Sequence, residues 1–174
     1  MKIVPARFTR ADYALLPEDF PAQLIDGFLV KEDSPTHGHQ VFLSRLHAAL
    51  VPLVGPDRAI PAPQDVGIDD WNVFQPDLLV LDRLPSMDVS DVGIPLLAIE
   101  ILSPSTARRD RSVKRRRLIA AGVKEVWIVD PAAQTVEVHD AAGCRSTSGD
   151  TALASVALPG FEVVPSRLFA PPKR

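Results

Sequence analysis

The stretch LLAIEIL, at 96–102, limits the fold more than any other part of the chain. Apolar residues occupy both faces of an extended backbone there, with one exception in the middle, Glu100. Such a run predicts a strand covered on both sides, inside a sheet flanked by helices. A carboxylate at that position loses its water and requires a cation or hydrogen-bond donors in exchange. The nature of that partner is the main question the sequence poses.

The segments around this strand alternate between strand and helix signals. AQLIDGFLVKE, at 22–32, reads as a hairpin, because Asp26-Gly27 supplies the positive φ angles of a tight turn. A helical period follows over 34–54, with Thr36 as N-cap and Phe42, Leu46, Ala49, Leu50 and Leu53 on one face. APQDVGID predicts a short strand ending near Asp69, and FQPDLLVLD, at 74–82, a second apolar strand with Pro76 near its start. STARRDRSVKRRRLIAAG predicts a helix closed by Gly122. EVWIVD and TVEVHD form a strand pair across the turn PAAQ, and the C-terminal part supplies one more strand and a closing apolar segment. Cys144 falls in what reads as a polar turn, with no metal-ligand spacing around it. The expected fold is α/β, with a mixed central sheet, flanking helices and an N-terminal β-hairpin.

Composition narrows the class. With 174 residues and 46% hydrophobic side chains, the chain predicts one domain over 1–174 with one substantial core. A single cysteine excludes an internal disulfide framework, and no run approaches the ~20 apolar residues of a membrane span. A soluble, cytoplasmic protein is therefore expected. The net charge of −3 gives no overall attraction to nucleic acid. Basic residues are nonetheless concentrated in RRDRSVKRRR, at 108–117, so any polyanion contact is expected there.

Two carboxylates stand out. Asp77 alternates with Leu79 and Leu81 on one strand, and Glu100 with Ala98 and Leu102 on the next. If those strands are neighbours, the acids converge. Two carboxylates ~4 Å apart repel by roughly 4 kcal/mol at an effective dielectric of 20, about three pKa units. A hard divalent cation converts that repulsion into a ligand set, and all-oxygen donors favour Mg²⁺ or Mn²⁺. Ser103 and Ser105 lack the glycine pattern of a nucleophile elbow, and SPST reads instead as a strand-to-helix turn.

In order and at close spacing, QPDLLVLD, AIEILSPST, RRDRSVK and AAGVKEVWIVDP resemble the Uma-two family of bacterial endonucleases, within the restriction-endonuclease-like, PD-(D/E)XK superfamily. QLIDGFLV is similar to that family's hairpin and LPGFEV to its final strand, so the likeness covers nearly the whole chain. The resemblance implies a metal-dependent endonuclease hydrolysing DNA phosphodiester bonds, and a homodimer. It assigns Asp77 and Glu100 to the metal, with the backbone carbonyl of Ile101 as a further ligand. The superfamily lysine usually stands two residues after the acid, where this chain has Leu102; Lys114 on the following helix matches it instead, with Asp110 one turn earlier to hold its ammonium. Arg108, Arg109, Arg111 and Arg115 would bind flanking phosphates. His39 matches a supporting position near the site.

The chain departs from the family pattern at two positions of interest. Gln23 replaces a glutamate at the start of the hairpin, and Leu118 a tyrosine four residues after the lysine. They support an alternative: a nuclease-fold module without turnover that binds nucleic acid or a protein partner.

Overall fold

A computed structural model describes residues 7–17, 20–31, 34–103 and 110–171, with the backbone alone at 110 and 111. The elements in chain order are α1 (Arg10–Tyr13), β1 (Ala22–Ile25), β2 (Phe28–Lys31), α2 (His37–Val54), β3 (Ala59–Pro61), β4 (Val66–Asp69), β5 (Asn72–Phe74), β6 (Leu78–Val80), β7 (Leu97–Ile101), α3 (Asp110–Ala121), β8 (Glu125–Asp130), β9 (Thr135–Asp140), β10 (Gly143–Ser148), β11 (Leu153–Ala154), β12 (Glu162–Val163) and α4 (Pro165–Leu168). The architecture is α/β. A mixed sheet of order β10-β9-β8-β7-β6-β3 forms the centre, and a second sheet, β2-β1-β5-β4, contains the N-terminal hairpin. Asp26 and Gly27, at φ 53° and 81°, make the hairpin turn as their residue types predict.

β7 is the strand that the sequence placed inside the sheet. It pairs antiparallel with β6 and parallel with β8, and α3 makes the crossover between the two parallel strands. Side chains alternate between two cores. On one face Leu78, Val80, Leu97, Ile99 and Trp127 pack with Leu43, Leu46 and Leu50 of α2. On the other, Leu79, Ala98, Val126 and Ile128 pack with Leu118 of α3 and with Val66 and Phe74 of the second sheet. Coverage of both faces explains why β7 and β8 read as near-continuous apolar runs.

Three sequence expectations change. The strand expected over 74–82 is divided: Phe74 belongs to one sheet and Leu78–Val80 to the other. Pro76, which has no N–H for a ladder, lies between them. On α2, Leu43 takes the core position expected of Ala49 and Leu53, both of which are exposed; the buried stripe follows Leu43, Leu46 and Leu50. Cys144 lies in a strand, β10, not a turn: it pairs with His139 across the ladder. A polar, half-exposed edge strand resembles a loop in composition, and only its partner β9 identifies it. The helix expected from 105 is described from Asp110, and Arg108 and Arg109 lie outside the described residues.

Glu125, in the GVKEVWIVDP segment, has a structural role. Its buried carboxylate accepts from Trp127 Nε1 at 3.0 Å, Ser155 Oγ at 2.6 Å, Arg145 Nη2 at 3.1 Å and the Val156 amide at 2.8 Å. These bonds satisfy the buried charge and fix the segment after β11 against β8.

Candidate active site

The ladder between β6 and β7 sets Leu78 opposite Ile99, and one further step along it brings Asp77 beside Glu100. The alternation that puts Leu79 and Ala98 against α3 also turns these two acids toward that helix. The convergence expected from the sequence is therefore built by neighbouring strands.

The structure supplies a direct partner for Glu100. Lys114 Nζ lies 2.8 Å from Glu100 Oε1, and the lysine side chain is only 5% exposed. Lys114 and Leu118 form the core-facing stripe of a helix whose other faces are basic, so the lysine stem packs where an apolar residue would stand. The ammonium also donates to the Gln75 carbonyl at 3.4 Å. The Glu100 carboxylate, 17% exposed, thus has a protein cation beside it. Asp110, expected to hold that ammonium, has no described side chain, and neither has Arg111.

Asp77 is fixed from two directions. Its Oδ2 accepts from the Ile101 amide at 2.6 Å, and its Oδ1 lies 3.1 Å from His39 Nε2. His39 stands in the first turn of α2, whose N-cap Thr36 accepts from the His39 amide. The imidazole pKa is raised, chiefly by its hydrogen bond to Asp77. Burial opposes that shift, while the charges of Asp77 and Glu100 and the Ile101 backbone add to it. Two acids and two bases therefore face one another at the end of the strand pair.

Behind them lies a layer that sequence reasoning found only in part. The Gln75 amide donates to the Oε1 of buried Gln23 at 2.9 Å, and Gln75 Nε2 donates to Asp65 at 2.8 Å. Gln75 precedes a proline at the break between the sheets, so side chains, not a ladder, satisfy its backbone groups. Gln23 links the hairpin to the segment that Lys114 touches. Gln75 and Asp65 were not foreseen; the proline following Gln75 was the available signal. Leu118, the other departure from the family pattern, is wholly buried in the core.

The remaining basic residues have separate partners. Arg117 pairs with Asp26 of the hairpin turn and lies 3.9 Å from Asp69. Arg115 Nη1 lies 3.4 Å from His139 Nε2. Arg116 donates to the Ser112 carbonyl and is exposed.

The donor set suits a hard cation. The Asp77 and Glu100 carboxylates and the Ile101 carbonyl are oxygen donors from adjacent strand positions, and carboxylate oxygens retain lone pairs after one hydrogen bond. Among the described residues, no helix is long and apolar enough to cross a membrane.

In comparisons with known proteins, a family model described as "Uma2: Putative restriction endonuclease" matches residues 10–167. Among solved structures, the chain is similar to a putative nuclease belonging to DUF820 from Anabaena variabilis. The identity is 21% and the TM-score 0.81, over 94% of this chain and 98% of that one. No curated protein matches the sequence.

Proposed function

The chain belongs to the Uma2 family of putative restriction endonucleases, and from that premise we propose a metal-dependent endonuclease that hydrolyses DNA phosphodiester bonds. The observation that carries this reading is the meeting of Asp77, Glu100, Lys114 and His39 at one end of the β6–β7 pair. Asp77, Glu100 and the Ile101 carbonyl would hold Mg²⁺ or Mn²⁺. When bound, such an ion lowers the pKa of a water ligand and stabilises charge on a scissile phosphate.

The protein's own groups do the positioning. Lys114, held at Glu100 and the Gln75 carbonyl, presents a buried positive charge to the oxygens on which negative charge develops. His39 and the Ile101 amide fix the Asp77 carboxylate so that it does not reorganise when substrate arrives. Gln23 and Gln75 hold the backbone to which Lys114 donates. Arg108, Arg109, Arg111 and Arg115 would bind flanking phosphates, which positions DNA without reading its sequence.

Gln23, a neutral group where the family pattern has a carboxylate, favours a second reading: a nuclease-fold module that binds without turnover. A cleavage assay separates them, using plasmid and single-stranded DNA with Mg²⁺, Mn²⁺ or EDTA beside Asp77→Asn. Metal-dependent cutting that the variant loses supports the nuclease. Cutting that survives in Asp77→Asn refutes the site. Absence of cutting, together with no Mn²⁺ binding by calorimetry, selects the second reading.

A further inference from the structure

The face of the central sheet that carries Glu100 has a second group of ligand-type side chains. Val136 and Val138 of β9 enter the core beneath α2, so alternation turns Glu137 and His139 to the α3 face. Cys144 stands directly across the ladder from His139, and direct cross-strand partners share a face. His139 Nε2 is 2.9 Å from Glu137 Oε2 and 3.6 Å from Cys144 Sγ. The three ligand atoms all lie within 4.8 Å of one another.

Arg115 of α3 approaches the same nitrogen, at 3.4 Å. A ring nitrogen carries either an N–H or a lone pair. The Glu137 carboxylate, an acceptor, and the Arg115 guanidinium, a donor, both converge on this one ring nitrogen. A divalent cation that displaces Arg115 from this nitrogen accepts the imidazole lone pair, the carboxylate and the thiolate together.

Two of the three ligand separations come near the edges of a tetrahedral site, and the Glu137–Cys144 separation, within 4.8 Å, closes toward about 3.6 Å on binding. With about 2.3 Å to sulfur and about 2.0–2.1 Å to nitrogen, a tetrahedral zinc site has an N···S edge of about 3.6 Å. That is the observed separation of Cys144 Sγ and His139 Nε2, 3.6 Å. The N···O edge comes to about 3.4 Å, which the flexible Glu137 side chain reaches by opening about half an ångström.

We propose that Glu137, His139 and Cys144 form a binding site for a thiophilic divalent cation of the zinc class, with three protein ligands and an open fourth position. On binding, the Cys144 thiol loses its proton to solvent and Arg115 leaves His139. Mixed N, O and S donors select zinc over magnesium or manganese, the reverse of the oxygen set at Asp77 and Glu100. In register, Glu100, Ile128 and Glu137 lie side by side on β7, β8 and β9. Two strand spacings therefore separate the sites, about 10 Å. The face under α3 holds two neighbouring metal sites of opposite preference.

Co²⁺ and Zn²⁺ titrations of the full chain, stripped of metal by a chelator, test the site. One equivalent of Co²⁺ is expected to give a thiolate-to-metal charge-transfer band in the near ultraviolet, displaced by Zn²⁺. Cys144→Ser, at an exposed position, abolishes the band, while Asp77→Asn leaves it unchanged. His139→Gln lowers Zn²⁺ affinity at least tenfold against a chromogenic chelator. Absence of the band in the wild-type chain, its survival in Cys144→Ser, or an unchanged Zn²⁺ affinity in His139→Gln overturns the proposal. Neither readout depends on DNA cleavage, so the result stands apart from the nuclease reading.

Discussion

The pair formed by Lys114 and Glu100 makes a quantitative prediction. At 2.8 Å, an effective dielectric of 20 gives about 6 kcal/mol of attraction. Removing both charges from water costs several kcal/mol per ion, so the intact pair adds little net stability. Either charge left alone is another matter, because it keeps its desolvation cost and loses its partner. Lys114→Met preserves the packed stem and removes the ammonium; Glu100→Gln preserves shape and removes the carboxylate. Each single variant is expected to lower the unfolding free energy by about 3–5 kcal/mol. The double variant recovers much of that loss, for a coupling energy of about 2 kcal/mol or more. Urea unfolding followed by the fluorescence of Trp127, which is fully buried, measures all four proteins. Single effects that simply add, with coupling below about 0.5 kcal/mol, would refute the reasoning.

Three further outcomes are expected. Gln23→Ala removes the acceptor of the Gln75 amide; unfolding by urea should show a loss of about 1–3 kcal/mol, and an unchanged midpoint would mean that water replaces the bond. His39 has a pKa raised above the ordinary 6.5 by Asp77. Its contribution is fully present below that value and is lost as pH rises through the folded pKa. The stability gap between wild type and His39→Gln should therefore shrink as pH rises from below 6.5 through the raised folded pKa, and a flat difference would count against the ion pair. Glu125→Ala leaves the Trp127 indole, Ser155 and the Val156 amide without their acceptor; a cost of about 3 kcal/mol is expected in the same unfolding assay, and a cost near zero would remove its structural role.

The acids were legible in the sequence because strand alternation is local. Asp77 and Glu100 could be placed on faces from their own neighbours, and an apolar run with one acid has few explanations. Their partners were less legible. Contact between Lys114 and Glu100 depends on how α3 settles on the sheet, and the His39 contact depends on where α2 begins over the end of β6. No periodicity encodes either geometry. The split at Pro76 was visible as a proline, but the transfer of chain between two sheets was not. β10 was missed for a different reason: at an exposed edge, polar residues leave no apolar alternation to read.

The position of β7 between two paired neighbours, with both faces covered, determines how the site comes apart. Amides in its middle exchange with deuterium only when the whole sheet opens, so they report the global free energy. His39 stands in the first turn of a helix, and helix ends open at much lower cost. Fraying of that turn detaches the imidazole from Asp77 while the sheet beneath stays closed. The lifetime of the complete constellation is therefore set by the first turn of α2 rather than by the core. A substitution at Thr36 that weakens the cap would release the His39 imidazole from Asp77 and leave the exchange rates of β7 unchanged.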